Sequence, residues 1–222
     1  VKGTQIGSAG CLFNDVQTDS RNVSSERPCM FVPLVGEFQN GHKYIPSVLT
    51  EEKKASVILL NEAEYKNDSD FYEKLAAENP EVCFVRVENT LHALQNAAEA
   101  YVTKKCQNMI LVSITGSSGK TTTKEMMVSV AKAHFGDIGV AYTYGNLNSE
   151  TGLPLSVFKI RGDEKIGIFE MGMNRVGEIG EISKVLKSRF GFITNIGTAH
   201  IGILGSRENN ESKKRKSFLY IP

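Results

Sequence analysis

The sequence predicts an α/β protein in two parts: a small α/β domain, then a P-loop-type domain built on a parallel sheet. Three observations predict it. Met109-Ile-Leu-Val-Ser-Ile-Thr115 is a continuous apolar run that passes through Gly116-Ser-Ser-Gly119 directly into the helix-forming pattern Lys120-Thr-Thr-Thr-Lys-Glu125. From Met109 onward, apolar strand patterns alternate with helix patterns, the order of a parallel sheet covered on both faces. Ahead of it, near Thr90, the hydrophobic period changes from short apolar runs to helical spacing.

In the first part, residues 11–88, Phe31-Val-Pro-Leu-Val35, Ala55-Ser-Val-Ile-Leu-Leu60 and Val82-Cys-Phe-Val-Arg-Val87 are short apolar runs and predict strands. Phe71-Tyr-Glu-Lys-Leu-Ala-Ala77, between the last two, suits a helix. Thr90 is positioned to cap a helix that places Leu91, Leu94, Ala98 and Tyr101 on one side. The expected organisation is therefore a domain over 1–88, a connecting helix over 89–108 and a second domain over 109–209. In the second domain the pattern predicts strand 109–115, helix 121–135, strand 165–170, helix 176–187 and strand 190–195. Residues 210–222 carry a lysine-rich run without apolar periodicity, and a solvated tail is expected there.

A net charge of +1 gives no broad basic field for nucleic acid, and no segment approaches the eighteen or so apolar residues of a membrane helix. Neither partner is expected. The four cysteines, Cys11, Cys29, Cys83 and Cys106, form no C-x-x-C pair and have no histidine at zinc spacing, which predicts reduced thiols of a cytoplasmic protein. The chain opens on Val1 rather than methionine, so an incomplete amino terminus is expected.

Chemistry concentrates at the ends of the second domain's predicted strands, where ligands bind in such sheets. Gly116, Ser117, Ser118 and Gly119 let the backbone curl so that successive N–H groups face an anion, and Lys120, Thr121 and Thr122 open a helix whose dipole favours negative charge. Lys120 adds a point charge for terminal phosphates, and the Thr121 hydroxyl suits magnesium. The common loop G-x-x-x-x-G-K-[ST] fails here at its first glycine, because Ile114 stands six residues before Lys120. The variant is shorter, Gly-x-x-Gly-Lys-Thr, and a plain glycine turn between strand and helix remains the alternative. Glu170, closing an apolar strand, is either a cation ligand or a carboxylate held by the amides of the next turn. His200, in Gly197-Thr-Ala-His-Ile-Gly202, is a ligand or an ordinary hydrogen-bonded loop histidine. Asn146 and Asn148 either fix a turn or border the phosphates. In the first domain, Ser20 and Arg21 of Thr18-Asp-Ser-Arg21 can bind a phosphate or simply form a surface turn.

Four segments in order, the glycine loop with its Lys-Thr-Thr-Thr-Lys-Glu-Met continuation, Gly145-Asn-Leu-Asn-Ser-Glu-Thr-Gly-Leu-Pro-Leu155, Glu170-Met-Gly-Met-Asn174 and Asn195-Ile-Gly-Thr-Ala-His-Ile-Gly-Ile-Leu-Gly-Ser206, resemble the Mur ligases of peptidoglycan synthesis. The likeness runs over about residues 15–209. It is greatest to the branch that joins D-alanyl-D-alanine to UDP-N-acetylmuramoyl-tripeptide, with the branch adding the third residue and folylpolyglutamate synthetase-like enzymes as alternatives. The resemblance implies a monomeric cytoplasmic amide ligase that uses ATP and Mg2+. It assigns catalysis to Lys120, Glu170 and His200, the metal to Thr121, Glu170 and His200, and the γ-phosphate region to Asn146. It also implies that the first domain binds the UDP-sugar through Ser20 and Arg21. A carbamylated lysine of the family falls by spacing near Lys214, where the sequence departs from the family pattern. The resemblance also implies a third domain, before which the chain is expected to stop, and a central domain with more strands than remain after Ile196, so the ATP domain is expected to be incomplete. The alternative to an active ligase is an inactive fragment that keeps nucleotide or UDP-sugar binding.

Overall fold

The computed structural model describes residues 2–196 apart from Ala9, Asn174, Val176 and Gly177. His200, Lys214 and the 210–222 tail therefore lie outside the described residues. The chain forms two compact units, Val1–Leu94 and Gln95–Pro222. The division falls inside the helix that was expected to connect two domains.

The first unit is a sheet of β1 (Thr4–Gly7), β2 (Asp15–Gln17), β3 (Cys29–Phe31), β4 (Val57–Asn61) and β5 (Cys83–Val87). Their order is β1-β5-β4-β3-β2, with β1 antiparallel to β5 and every other pairing parallel. Helices α1 (Glu62–Asn67) and α2 (Ser69–Glu78) connect β4 to β5. The core gathers Phe31, Ile58, Leu60 and Phe84 with Tyr72 and Ala76 of α2. Each of the larger side chains contributes about 2 kcal/mol by leaving water. The strand expected over 31–35 lies earlier, at Cys29–Phe31. Val32 still donates its N–H to Gln17, but Pro33 has no N–H with which to continue a ladder flanked on both sides.

The helix α3 (Thr90–Lys105) is capped by Asn89, whose Oδ1 accepts the His92 N–H at 3.0 Å. Thr90 was the expected cap. It is instead buried one residue inside, and its hydroxyl donates to the Pro33 carbonyl at 2.7 Å.

His42 shows how this unit handles a buried titratable group. It is 2% exposed, with Nδ1 2.8 Å from Asn40 Oδ1 and Nε2 accepting the Asn61 N–H at 3.0 Å. Those partners require a proton on Nδ1 and none on Nε2, so the neutral ring is held. Desolvation pushes its pKa down to about 4, against a smaller upward pull from Glu64. Between about pH 6.5 and pH 4 the unfolded chain takes up a proton that the folded ring refuses, so stability falls as the solution is acidified through that window. The slope from this one group is at most about 1.4 kcal/mol per pH unit. Urea midpoints measured between pH 7 and 4.5 should drop more steeply for the parent than for His42→Gln; parallel curves would contradict this.

Among the described residues the second unit carries four parallel strands, β6 (Ile110–Thr115), β7 (Val140–Tyr142), β8 (Ile166–Glu170) and β9 (Phe190–Ile193), in the order β7-β8-β6-β9. Helices α4 (Lys120–Phe135), α5 (Gly152–Val157) and α6 (Glu178–Leu186) join them. Side chains alternate across β6 as the pleat requires. Val112 and Ile114 pack with Val128 and Ala131 of α4, whereas Leu111 packs with α5 and α6 through Leu153, Val157, Ile182 and Leu186. Helices thus cover both faces, and β6 lies where the chain switches from one side of the sheet to the other. All four strands deliver their carboxyl ends to the same edge.

All four cysteines are free thiols. Burial pushes Cys29 up to about 12, which leaves it unreactive. Among the described residues no helix is long and apolar enough to cross a membrane.

Candidate active site

The loop after β6 turns at Gly116, with φ +152°, and at Gly119, with φ +76°. At Gly116 the need for glycine is steric as well as conformational, since a Cβ would stand 1.9 Å from Thr194 Oγ1. At Gly119 nothing lies within 4 Å of an added Cβ, and only the left-handed backbone favours glycine. Gly119 is also the N-cap of α4 and supplies no capping side chain. The Lys120, Thr121 and Thr122 amides, which by helix geometry have no acceptor within α4, open toward the loop.

Not every loop amide points inward. Ser117 donates its N–H to the Asn195 carbonyl at 3.1 Å, and Ser118 donates to Asn195 Oδ1 at 3.1 Å. In return Asn195 Nδ2 donates to the Ser118 carbonyl and hydroxyl, and Thr194 Oγ1 donates to the Ser118 carbonyl at 2.6 Å. The strand expected to run to residue 195 ends at Ile193, and its last two residues become the clamp on this loop. Here the nest expected at Gly116–Lys120 is shared: Ser117 and Ser118 face Asn195, and the start of α4 is left for an anion. The Lys120 ammonium donates to the Gly116 carbonyl at 3.0 Å, lying back over the loop it would serve.

Glu170 ends β8 directly beside Ile114 in register and is 2% exposed. Both oxygens are engaged: Thr121 Oγ1 donates to Oε2 at 2.8 Å, and Asn148 Nδ2 donates to Oε1 at 2.8 Å. A second layer lies beneath. The Glu170 N–H donates to Thr143 Oγ1 at 3.0 Å, and the Thr143 carbonyl accepts from Lys124 Nζ at 2.8 Å. Lys124 is 1% exposed and also pairs with Glu125 at 2.8 Å, so its charge is compensated where burial would otherwise be costly.

The structure therefore brings Thr121 and Glu170 together and sets Lys120 at the loop beside them. Asn146 is exposed, and its carbonyl receives the Asn148 N–H at 2.8 Å. The amide that reaches Glu170 is Asn148. Lys124, Thr143, Thr194 and Asn195 are further members that sequence patterns did not single out. The Thr121 hydroxyl and the Glu170 carboxylate are hard oxygen donors, the type that suits Mg2+. Among the described residues no group of three His, Cys, Asp or Glu side chains gathers for a metal.

In the first unit, Ser20 and Arg21 line a cavity of about 600 Å³ together with Thr18, Gly36, Gln39 and Tyr44. Asp19 caps the short 3-10 turn Ser20–Asn22. The Arg21 fork rests on Asp19, with Nε 2.9 Å from Oδ1, and this bond draws the Asp19 carboxyl down to about 2. Arg21 is otherwise open to solvent, so an incoming phosphate would compete with Asp19 for the guanidinium.

A glycine loop between a buried parallel strand and a helix, with a lysine, a hydroxyl and a buried carboxylate at adjoining strand ends, defines a P-loop-type α/β protein. The comparisons narrow the class. The model of the Mur ligase middle domain matches residues 114–221. The UDP-N-acetylmuramoyl-tripeptide--D-alanyl-D-alanine ligase of Treponema pallidum (strain Nichols) is 39% identical over 206 residues, which is 93% of this chain and 42% of that protein. The enzyme of that name from Bacillus subtilis (strain 168) is 34% identical, with 89% and 39% covered. Among solved structures, MurF from Acinetobacter baumannii superposes with a TM-score of 0.77 at 28% identity, over 94% of this chain and 41% of that one. MurF ligase from Thermotoga maritima in complex with ADP gives 0.75 at 27% identity, over 93% and 43%. The chain belongs to the Mur ligase family. It spans about two-fifths of the length of these relatives.

Proposed function

We propose that this chain is the nucleotide- and UDP-sugar-binding portion of an ATP-dependent amide ligase that joins D-alanyl-D-alanine to UDP-N-acetylmuramoyl-tripeptide. The observation that carries the reading is the convergence of Lys120, Thr121 and Glu170 at the carboxyl ends of β6 and β8, in a chain 39% identical to a ligase of that name. In the proposed reaction a terminal carboxylate oxygen of the tripeptide attacks the γ-phosphorus of ATP, and the bond to ADP breaks. The amine of the dipeptide then adds to the acyl carbon of the acyl phosphate. A tetrahedral intermediate expels inorganic phosphate, and the amine proton passes to solvent or a base.

The chain's own residues are suited to the first half of this. The α4 amides and the Lys120 ammonium bind and orient the β- and γ-phosphates and stabilise charge as it moves between them. Thr121 and Glu170 would hold Mg2+, which when bound supplies charge neutralisation at the transferring phosphoryl group. His200 is proposed to join them. Asn146 is proposed to lie near the γ-phosphate, and Ser20 and Arg21 to contact the UDP-sugar at their cavity. The domain roles follow: UDP-sugar binding over 1–88, the connecting helix over 89–108 and ATP binding over 109–209. We place the protein in the cytoplasm as a monomer.

The test is incubation with UDP-N-acetylmuramoyl-tripeptide, D-alanyl-D-alanine, ATP and Mg2+, followed by mass spectrometry. Pentapeptide formed with equal amounts of ADP and phosphate establishes the ligase. Nucleotide binding without pentapeptide establishes the second reading, a binding portion of a longer enzyme, which the two-fifths coverage favours. Absence of both refutes the assignment. The metal role has its own expected result: Glu170→Gln keeps the shape but removes the charge, and should reduce the magnesium enhancement of ATP binding about tenfold or more. His92→Gln, at an exposed position on α3, should leave it unchanged. Equal magnesium titrations for the two variants would remove Glu170 from the metal site.

A further inference from the structure

Among the described residues, Asn148 and Thr121 are the side chains that hydrogen-bond to the buried carboxylate of Glu170. A carboxylate only accepts, so the amide must turn its Nδ2 toward Oε1, and its orientation follows from the chemistry of the pair. The Asn148 backbone is anchored on both sides. Its N–H donates to the Asn146 carbonyl at 2.8 Å, and its carbonyl accepts the Gly172 N–H at 2.7 Å. The loop that carries it is pinned further along. The Glu150 N–H donates to Glu178 Oε1 at 3.1 Å, Arg175 Nε donates to Glu150 Oε2 at 2.9 Å, and Ser149 Oγ accepts the Gly152 N–H at 3.1 Å. The fit is close: a Cβ on Gly172 would stand 3.1 Å from Asn148 Oδ1.

We propose that Asn148 is a positioning residue that makes Glu170 a one-oxygen ligand and thereby tunes the site for Mg2+ over Ca2+. The terminal torsion of a glutamate is broad, so an unrestrained carboxylate can rotate to offer either oxygen or both. With Oε1 held by Asn148, the oxygen on offer is Oε2, the one already beside the Thr121 hydroxyl. Magnesium demands near-octahedral geometry with short single-oxygen bonds, whereas calcium accepts longer and two-oxygen carboxylate ligation. Restricting Glu170 to Oε2 therefore favours the smaller ion. The inference rests on the nucleotide site proposed above.

The test is calorimetric titration of the chain with ADP in Mg2+, in Ca2+ and in EDTA, comparing the parent with Asn148→Ala. The variant should lose about tenfold of the magnesium enhancement, keep the metal-free ADP affinity and keep or gain affinity with calcium. An unchanged ratio of magnesium to calcium enhancement would overturn the proposal. So would a parent that binds ADP with no metal enhancement, an outcome that leaves the nucleotide reading standing. A parent that binds no ADP under any condition would remove both. If Asn148→Ala does not fold, as judged by circular dichroism and thermal melting, Asn148→Ser is used with the same criteria. Amide NMR gives a readout independent of ADP: the Asn148 side-chain NH2 resonances should shift in Glu170→Gln, and unshifted resonances would show that the contact does not form in solution.

Discussion

Lys120→Ala is expected to weaken MgATP binding roughly 100-fold while leaving the circular dichroism spectrum unchanged. A charged hydrogen bond to a phosphate is worth about 1.5–3 kcal/mol, and at the loop it also offsets the charge of two adjoining phosphates. The ammonium rests on the Gly116 carbonyl at 3.0 Å, and Lys120 is half-buried rather than part of the core. Folding therefore loses little when it is removed, and binding loses much. Isothermal titration of both proteins decides the matter; equal affinities would take the loop out of the proposed chemistry.

Gly116→Ala should produce the largest loss of stability among the loop substitutions, on the order of 3 kcal/mol. The new methyl would stand 1.9 Å from Thr194 Oγ1, 3.1 Å from its Cβ and 3.2 Å from the Asn195 nitrogen, so the end of β9 must move or the loop must open. Opening breaks the bonds by which Thr194 and Asn195 hold Ser118. Gly119→Ala is the comparison, at φ +76° rather than +152° and with open space around the added carbon, and should cost only about 1 kcal/mol. Combining Gly116→Ala with Thr194→Gly should recover part of the loss, seen as non-additive urea midpoints. Strictly additive midpoints for Gly116→Ala and Thr194→Gly would show that the contact with Thr194 does not decide the requirement for glycine.

The parts that local chemistry specifies are legible in the chain. A seven-residue apolar run, two glycines and a lysine before a helical pattern have few ways to fold, so β6, the loop and α4 are readable nearly to the residue. The same holds for β4, β5, β8 and α2. Short elements are not readable in this way. β1, β2 and β7 have three or four residues each, too few for a period, and exist because a neighbouring strand pairs with them. The cap of α3 is a choice between Asn89 and Thr90, adjacent residues with similar side-chain chemistry. Burial of the Thr90 hydroxyl against the Pro33 carbonyl, 57 residues distant in sequence, made that choice.

By itself the sequence determined the phosphate loop and the strand–helix alternation of a parallel α/β class, because each depends on residues close together in the chain, whereas the pairing of Thr121 with Glu170 spans 49 positions. Tertiary structure alone decided which asparagine meets Glu170, which loop amides are spent on Asn195, and why Gly116 admits no side chain. Asn148 and Glu170 are 22 positions apart, and Ser118 and Asn195 are 77 apart. Contacts across such separations depend on the order in which parallel strands lie side by side, here β7-β8-β6-β9. That order comes from burying both faces of the sheet at once, which no local pattern of residues encodes.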